Sequence, residues 1–235
     1  MARKKVSRKE LLKEPDKIFT ASSRLLGLVM AHKMRIAGVL GFVFLAIICV
    51  SGIRYLAVQS ETEAFKLLAA GVDKYEKALE EEDSEKACEK VQGDFEKIVE
   101  QFSSKKGGKM AAVTFGNILY AAGRYEAAIT YYRKAEGGFS PALNSLIHSG
   151  LAYVYTARGD VEKAIRYFGM IADAKDAISK DEALFNLGIL YEKKGDLAKS
   201  REAFKNIATN FTDSIYIDIA RDKTGVREAL EPLKG

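Results

Sequence analysis

Chemistry needs reactive side chains that can meet, and this 235-residue chain offers few: His32 and His148, Cys49 and Cys88, and an acidic run from Glu80 to Asp83. A zinc centre asks for Cys and His ligands in closely spaced pairs, whereas the nearest neighbours here, His32 and Cys49, stand 17 residues apart. No Ser/His/acid arrangement and no glycine-rich phosphate loop is present. The acidic run reads as a solvated helix end or turn. Asn210-Phe211-Thr212 matches a glycosylation sequon, a pattern of only three residues. The expectation is a protein that is not an enzyme and holds no metal or cofactor. Recognition by a folded surface is what remains.

The elements that would hold such a surface are helical. Three prolines and no Trp accompany many Ala, Leu, Glu and Lys, and 48% of the residues are hydrophobic, enough to bury a core. The apolar residues are unevenly spread. Ile36 to Ile53 is an 18-residue stretch without a charge, IAGVLGFVFLAIICVSGI. As a helix it spans ~27 Å, close to the thickness of a bilayer's hydrocarbon core. A buried helix of a soluble protein would show a polar face, and this one shows none. Arg54 can snorkel and Tyr55 can rest at the interface, so a transmembrane helix is placed at residues 36–56.

Residues 1–35 carry ten Lys and Arg against three acids, whereas the remainder of the chain holds 27 against 29. Positive charge prefers the cytoplasmic side, so this basic tail stays inside and the large carboxyl-terminal domain is translocated. The basic excess is then a topology and anionic-lipid signal, not a nucleic-acid one. The exit sequence SGIRYLAV is a poor cleavage site, and Cys49 follows two isoleucines where a lipidation site would want small residues; an uncleaved anchor is expected. This places Cys49 in lipid and Cys88 outside, with no intrachain disulfide. Residues 16–34 interleave Ile18, Phe19, Leu25, Leu26, Val29 and Met30 with basic positions, as either an interfacial amphipathic helix or a loosely ordered tail. Ala37 and Gly41 are four residues apart and offer a small-xxx-small surface for another membrane helix.

Beyond the anchor the sequence repeats. Gly123, Gly159 and Gly195 lie 36 residues apart, each inside the same pattern. Leu184, Leu187, Gly188 and Tyr191 precede Gly195, and Ser200, Phe204 and Ile207 follow it. The middle copy reads His148, Leu151, Ala152, Tyr155, then Ala164, Phe168 and Ile171; the first reads Ala112, Phe115, Gly116, Leu119, then Ala128, Tyr132 and Ala135. This pattern resembles the tetratricopeptide repeat, in which small residues let two antiparallel helices approach closely. The resemblance covers residues 109–214 as repeats 109–144, 145–180 and 181–214. His148 stands where an aromatic or Leu is usual and reads as a packing residue. Asp160 and Asp196 are placed to cap second helices. Phe95, Ile98 and Phe102 echo Phe204, Ile207 and Phe211, which predicts a degenerate helical pair at 61–102 whose first helix continues from the anchor. Ser214 to Gly225 reads as the single helix that covers the end of an array, making a domain of 61–225 followed by a tail at 226–235. The fold class is all-α: one transmembrane helix and a tetratricopeptide α-solenoid.

The resemblance implies that the inner face is lined by Met110, Val113, Asn117 and Tyr120, by Leu146, Ser149, Tyr153 and Thr156, and by Glu182, Phe185, Ile189 and Glu192. Only two of these twelve are charged. Asn117, Tyr120, Tyr153, Phe185 and Ile189 are the candidate partner-binding residues, and Tyr153→Ala or Phe185→Ala is expected to weaken capture without unfolding. The family's clamp for a carboxyl terminus is excluded, because Val113, Gly150, Glu182 and Asn186 stand where its other groups belong. Two occupants stay open: a partner's apolar segment, or the chain's own Ile215, Ile217 and Ile219.

Basic tail, uncleaved helix and outward repeat domain together resemble the YfgM-like family of bacterial inner-membrane proteins. That resemblance implies an ancillary subunit of the SecYEG translocon that associates with a membrane-anchored peptidyl-prolyl isomerase chaperone in the periplasm. The departure is the 35 residues before the anchor, a longer stretch than the family's pattern. An assembly scaffold for cell division, outer-membrane biogenesis or a secretion apparatus fits the same layout.

Overall fold

The structure, a computed structural model, describes residues 30–137 and 139–225. Most of the 1–35 tail, with the amphipathic stretch expected at 16–34, and the 226–235 tail lie outside the described residues. Helices follow one another with no strand among the described residues: α1 (Lys33–Glu81), α2 (Ser84–Gln101), α3 (Lys106–Ala121), α4 (Tyr125–Ala135), α5 (Pro141–Ala157), α6 (Val161–Asp173), α7 (Lys180–Lys194), α8 (Leu197–Asn210) and α9 (Ile217–Thr224). The chain divides into two units, Met1–Val58 and Gln59–Gly235.

In the first unit the described helix is long and apolar enough to cross a membrane, with a mean hydropathy of 2.7 in its most apolar 18 residues and none of them buried. Phe42, Phe44, Leu45 and Ile48 are all exposed on it, an apolar patch of the kind that marks a membrane or protein contact. Ala37 and Gly41 are exposed too, and a Cβ built at Gly41 would meet nothing within 4 Å.

The second unit is a stack of antiparallel helical pairs: α1 from residue 59 with α2, then α3 with α4, α5 with α6, and α7 with α8. What sets their spacing is a missing side chain opposite an aromatic ring. A Cβ at Gly188 of α7 would lie 2.6 Å from Cζ of Phe204 in α8; one at Gly116 of α3 would lie 2.8 Å from Cε1 of Tyr132 in α4. Both rings are completely enclosed, so neither can retreat. The middle pair uses Ala152, fully buried, while its Gly150 takes the Tyr132 ring of the preceding pair at 2.4 Å. In the first pair Gly71 faces Phe95, whose ring would stand 3.1 Å from an added Cβ. Each such ring contributes ~1.5–3 kcal/mol of apolar burial.

The 36-residue period is visible in the turns and outer surface as well. Gly159 and Gly195 close their turns at φ +76° and +83°, a left-handed region where a Cβ is penalised. Asp160 then accepts from the Lys163 amide at 3.3 Å and Asp196 from the Lys199 amide at 3.2 Å, capping α6 and α8. The first copy has Arg124 at that position, which instead reaches back to Glu89 at 2.9 Å and Gln92 at 3.0 Å on α2. Arg158 pairs with Glu126 at 3.3 Å, and 36 residues on Lys194 pairs with Glu162 at 2.5 Å. Exposed pairs of this kind add little stability, and their recurrence reflects the constant register between neighbouring pairs. Aromatic contacts carry the core from pair to pair, Phe95 of α2 stacking on Phe115 of α3, which in turn meets Tyr131 of its own pair edge-on. His148 is half-buried beside the Tyr167 ring, and burial lowers its pKa below the usual range.

One glycine also brings α3 against α1. A Cβ on Gly107 would lie 2.6 Å from that of Ala64, and Glu61 accepts from the Gly107 amide at 2.6 Å and the Lys106 amide at 3.2 Å, capping α3 from α1. The acidic run ends α1 and starts α2: Asp83 accepts from the Lys86 amide at 2.9 Å, and Glu82 pairs with Lys86 and Lys90.

Gly188→Leu is expected to cost about 3 kcal/mol or more and to lower Tm by roughly 10 °C. Gly93→Ala, on an open stretch of α2 where an added Cβ meets nothing within 4 Å, should raise stability by about 0.5–1 kcal/mol. Thermal unfolding of the two variants beside the parent checks both signs.

Candidate functional site

The positions expected from the sequence to line an inner face lie on the first helices of the pairs, in three neighbourhoods. On α3, Asn117 is exposed and its Oδ1 accepts from the Tyr132 hydroxyl at 2.6 Å. Tyr120, half-buried, packs against Tyr125 with ring centroids 5.9 Å apart. Met110 is half-buried and Val113 is buried outright, so Val113 serves the core more than the surface.

In the centre, Tyr153 of α5 joins two residues of α7. Its hydroxyl donates to Glu182 Oε1 at 2.5 Å and accepts from Asn186 Nδ2 at 3.2 Å; Asn186 also donates to the Glu182 carbonyl at 2.9 Å. The Tyr153 ring meets Phe168 edge-on at 5.4 Å. Burial, and then the Glu182 carboxylate that accepts its proton, push the phenol well above the ordinary value of 10.0. Beside this group a small recess of about 50 Å³ is lined by Leu146, Ser149, Ile178 and Glu182, with Phe168 and Ile171 beneath. Leu146 is 43% exposed and Ile178 47% exposed. The inter-repeat loop carrying Ile178 is held by Ser145, whose Oγ accepts from the Ile178 amide at 3.2 Å.

At the far end the chain covers itself. Tyr216 stacks on Phe185 at 4.4 Å, Lys223 donates to both oxygens of Glu192 at 2.7 and 2.8 Å, and Ser214 donates to Asp181 at 2.6 Å. Ala220 of α9 is buried with Leu184, Phe204 and Ile207. Two of the three isoleucines considered from sequence do not fill the groove, since Ile215 is 86% exposed and Ile219 is exposed as well, while Ile217 is half-buried. A Tyr-to-Phe stack takes their place, because α9 begins at Ile217 and turns Ala220 inward. Phe185 therefore packs on both Tyr216 and Phe204, so Phe185→Ala removes packing as well as surface. Ile189 remains exposed beside it.

Sequence reasoning did not single out Glu182, Asn186, Leu146 or Ile178 as a group. Ile178 sits in the loop where the repeat carries its extra residues, and that insertion was the available signal. Among the described residues no group of three or more His, Cys, Asp or Glu is placed to hold a metal. Cys88 is buried and free, and Cys49 is exposed and free.

Tyr132 shares the raised pKa of Tyr153, through burial and the neighbouring Tyr120. Both phenols stay neutral in the folded chain above 10.0, so the stability they give is complete below that pH. It is lost as pH rises past it, because the unfolded chain deprotonates first. Tyr132→Phe and Tyr153→Phe should each flatten the fall in stability above about pH 10, as measured by denaturant unfolding across that range.

Known structures share this architecture. The chain is similar to a tetratricopeptide repeat protein from Parabacteroides merdae, with a TM-score of 0.56 and 18% identity over 73% of this chain and 61% of that one. It thus spans less than two thirds of that protein's length. It is also similar to MamA, with a TM-score of 0.51 and 14% identity over 70% of this chain and 86% of that one. At these identities the likeness is one of fold. No curated protein matches the sequence. The model of the tetratricopeptide repeat-like domain matches residues 31–222, most of the chain, its anchor-like helix included. The chain belongs to the tetratricopeptide repeat-like domain family.

Proposed function

We propose that this protein is a single-pass scaffold of the bacterial inner membrane that captures a protein partner on the inner face of its repeats. That a repeat domain of this family serves protein–protein interaction is the coarse part of the reading, and it gives no support to an enzymatic role. The observation that carries the rest is a single helix, Lys33–Glu81, whose first part is apolar and fully exposed and whose last part is the first helix of the repeat stack. Tethering raises the local concentration of the groove for anything that passes along or through the same membrane. The charge bias around the apolar stretch supports an amino terminus in the cytoplasm and the repeats in the periplasm.

The resemblance to the YfgM-like family supports the finer reading. In it the partners are the SecYEG translocon, through the Ala37 and Gly41 surface of the membrane helix, and a membrane-anchored peptidyl-prolyl isomerase chaperone, through Asn117, Tyr120, Tyr153, Phe185 and Ile189. The protein would then hand emerging polypeptides from the translocon to that chaperone.

Two measurements test this. A periplasm-dependent alkaline phosphatase fused at the carboxyl end should be active; activity only from a cytosol-dependent reporter overturns the orientation. Affinity purification from gently solubilised membranes should recover Sec components and the isomerase, with Ile189→Asp reducing isomerase recovery severalfold while leaving Tm unchanged. Recovery of a different envelope complex overturns the Sec assignment in favour of an assembly scaffold.

A further inference from the structure

We infer that the central groove selects an apolar peptide segment that carries a lysine or arginine, and discriminates against acidic segments and free carboxyl termini. This rests on the reading above that the inner face is a contact surface, and it names the chemistry of what is held there.

The argument is one of charge and cover. Of the twelve inner-face positions only Glu182 and Glu192 are charged, and both are acids. Glu192 is neutralised within the chain by Lys223, which bridges both its oxygens. Glu182 is different. One oxygen accepts from Tyr153, and the other accepts no hydrogen bond among the described residues. A tyrosine hydroxyl orients a carboxylate without cancelling its charge, so a half-buried negative charge faces the groove. No Lys or Arg lines the recess next to it.

The apolar half of the site lies within reach of that charge. Leu146 and Ile178 flank the recess, and the buried Phe168 and Ile171 form its floor. The recess holds the end of one apolar side chain, and Ser145 fixes the Ile178 wall. Self-coverage by residues 214–224 reaches Asp181, Phe185 and Glu192 and leaves Leu146, Ile178 and Ile189 exposed beside the half-buried Glu182. An aliphatic stem ending in a cation satisfies both halves: the stem covers apolar surface and the head meets the free carboxylate oxygen. A carboxylate ligand would meet like charge.

The test uses the full chain in phosphatidylcholine nanodiscs, with empty nanodiscs as baseline. Three short labelled peptides share one apolar sequence and differ in carrying Lys, Gln or Glu at two positions. Fluorescence anisotropy should rank them Lys, Gln, Glu, with about five- to tenfold between the first two, narrowing as salt is raised. Glu182→Gln still accepts from Tyr153, so Tm should hold while the Lys and Gln peptides become equal. Glu182→Lys should favour the Glu peptide. Absence of binding by all three, equal affinities, or a lysine preference that survives Glu182→Gln would overturn the inference. A fusion reporter showing the domain in the cytosol would overturn the proposed location and leave these peptide affinities unaffected.

Discussion

The close approach of two helices where a glycine faces an aromatic ring is the constraint on which the rest of this fold depends. Phe204 and Tyr132 are fully enclosed, and the space they occupy is the space that a side chain on Gly188, Gly116 or Gly150 would need. Close packing of this kind makes the pair rigid, because a dense interior has no room to absorb even one added methylene. Rigid pairs stacked at a constant period then give a regular inner face. The face exists because first helices are held at fixed distances by contacts behind them, so its chemistry depends on residues that never reach solvent.

That division of labour explains how one helix can be both core and surface. On α5, Leu151, Ala152, Val154 and Tyr155 are buried against neighbours, while Leu146 and Tyr153 turn to the inner face. Tyr153 does a little of each: its ring packs on Phe168 and its hydroxyl ties α5 to α7 through Glu182. The array ends by the same means as it propagates, with Tyr216 stacking on Phe185 and Ala220 entering the last apolar cluster. A terminal helix that covers one end leaves the groove open at its centre, where the uncancelled carboxylate of Glu182 lies beside exposed aliphatic residues.

Much of this was legible in the sequence because its causes are local and periodic. The three turn glycines, the Asp160 and Asp196 caps and the aromatic positions Tyr132, Phe168 and Phe204 recur every 36 residues, and the period alone exposes them. The degenerate first pair was legible through Phe95, Ile98 and Phe102 but not through Gly71. That glycine stands 24 residues before its ring, where Gly116 and Gly188 each stand 16 before theirs, so its spacing breaks the repeat. Contacts between elements far apart in sequence were invisible: Glu61 capping α3, Lys223 on Glu192, and Tyr216 on Phe185. Each joins groups that only the stacking of the helices brings together. The Ser145 hydrogen bond to the Ile178 amide was hidden for a further reason, since it depends on the path of a loop that differs between copies.

Contact mapping in intact membranes addresses the central claim, that the inner face is the capturing surface, most directly. A photoreactive amino acid is placed at Leu146 or Ile189 on that face, and at Glu96 or Glu202 on the outer helices. The account predicts discrete protein adducts from the inner positions and none from the outer ones. Adducts that arise from the outer helices alone would contradict it.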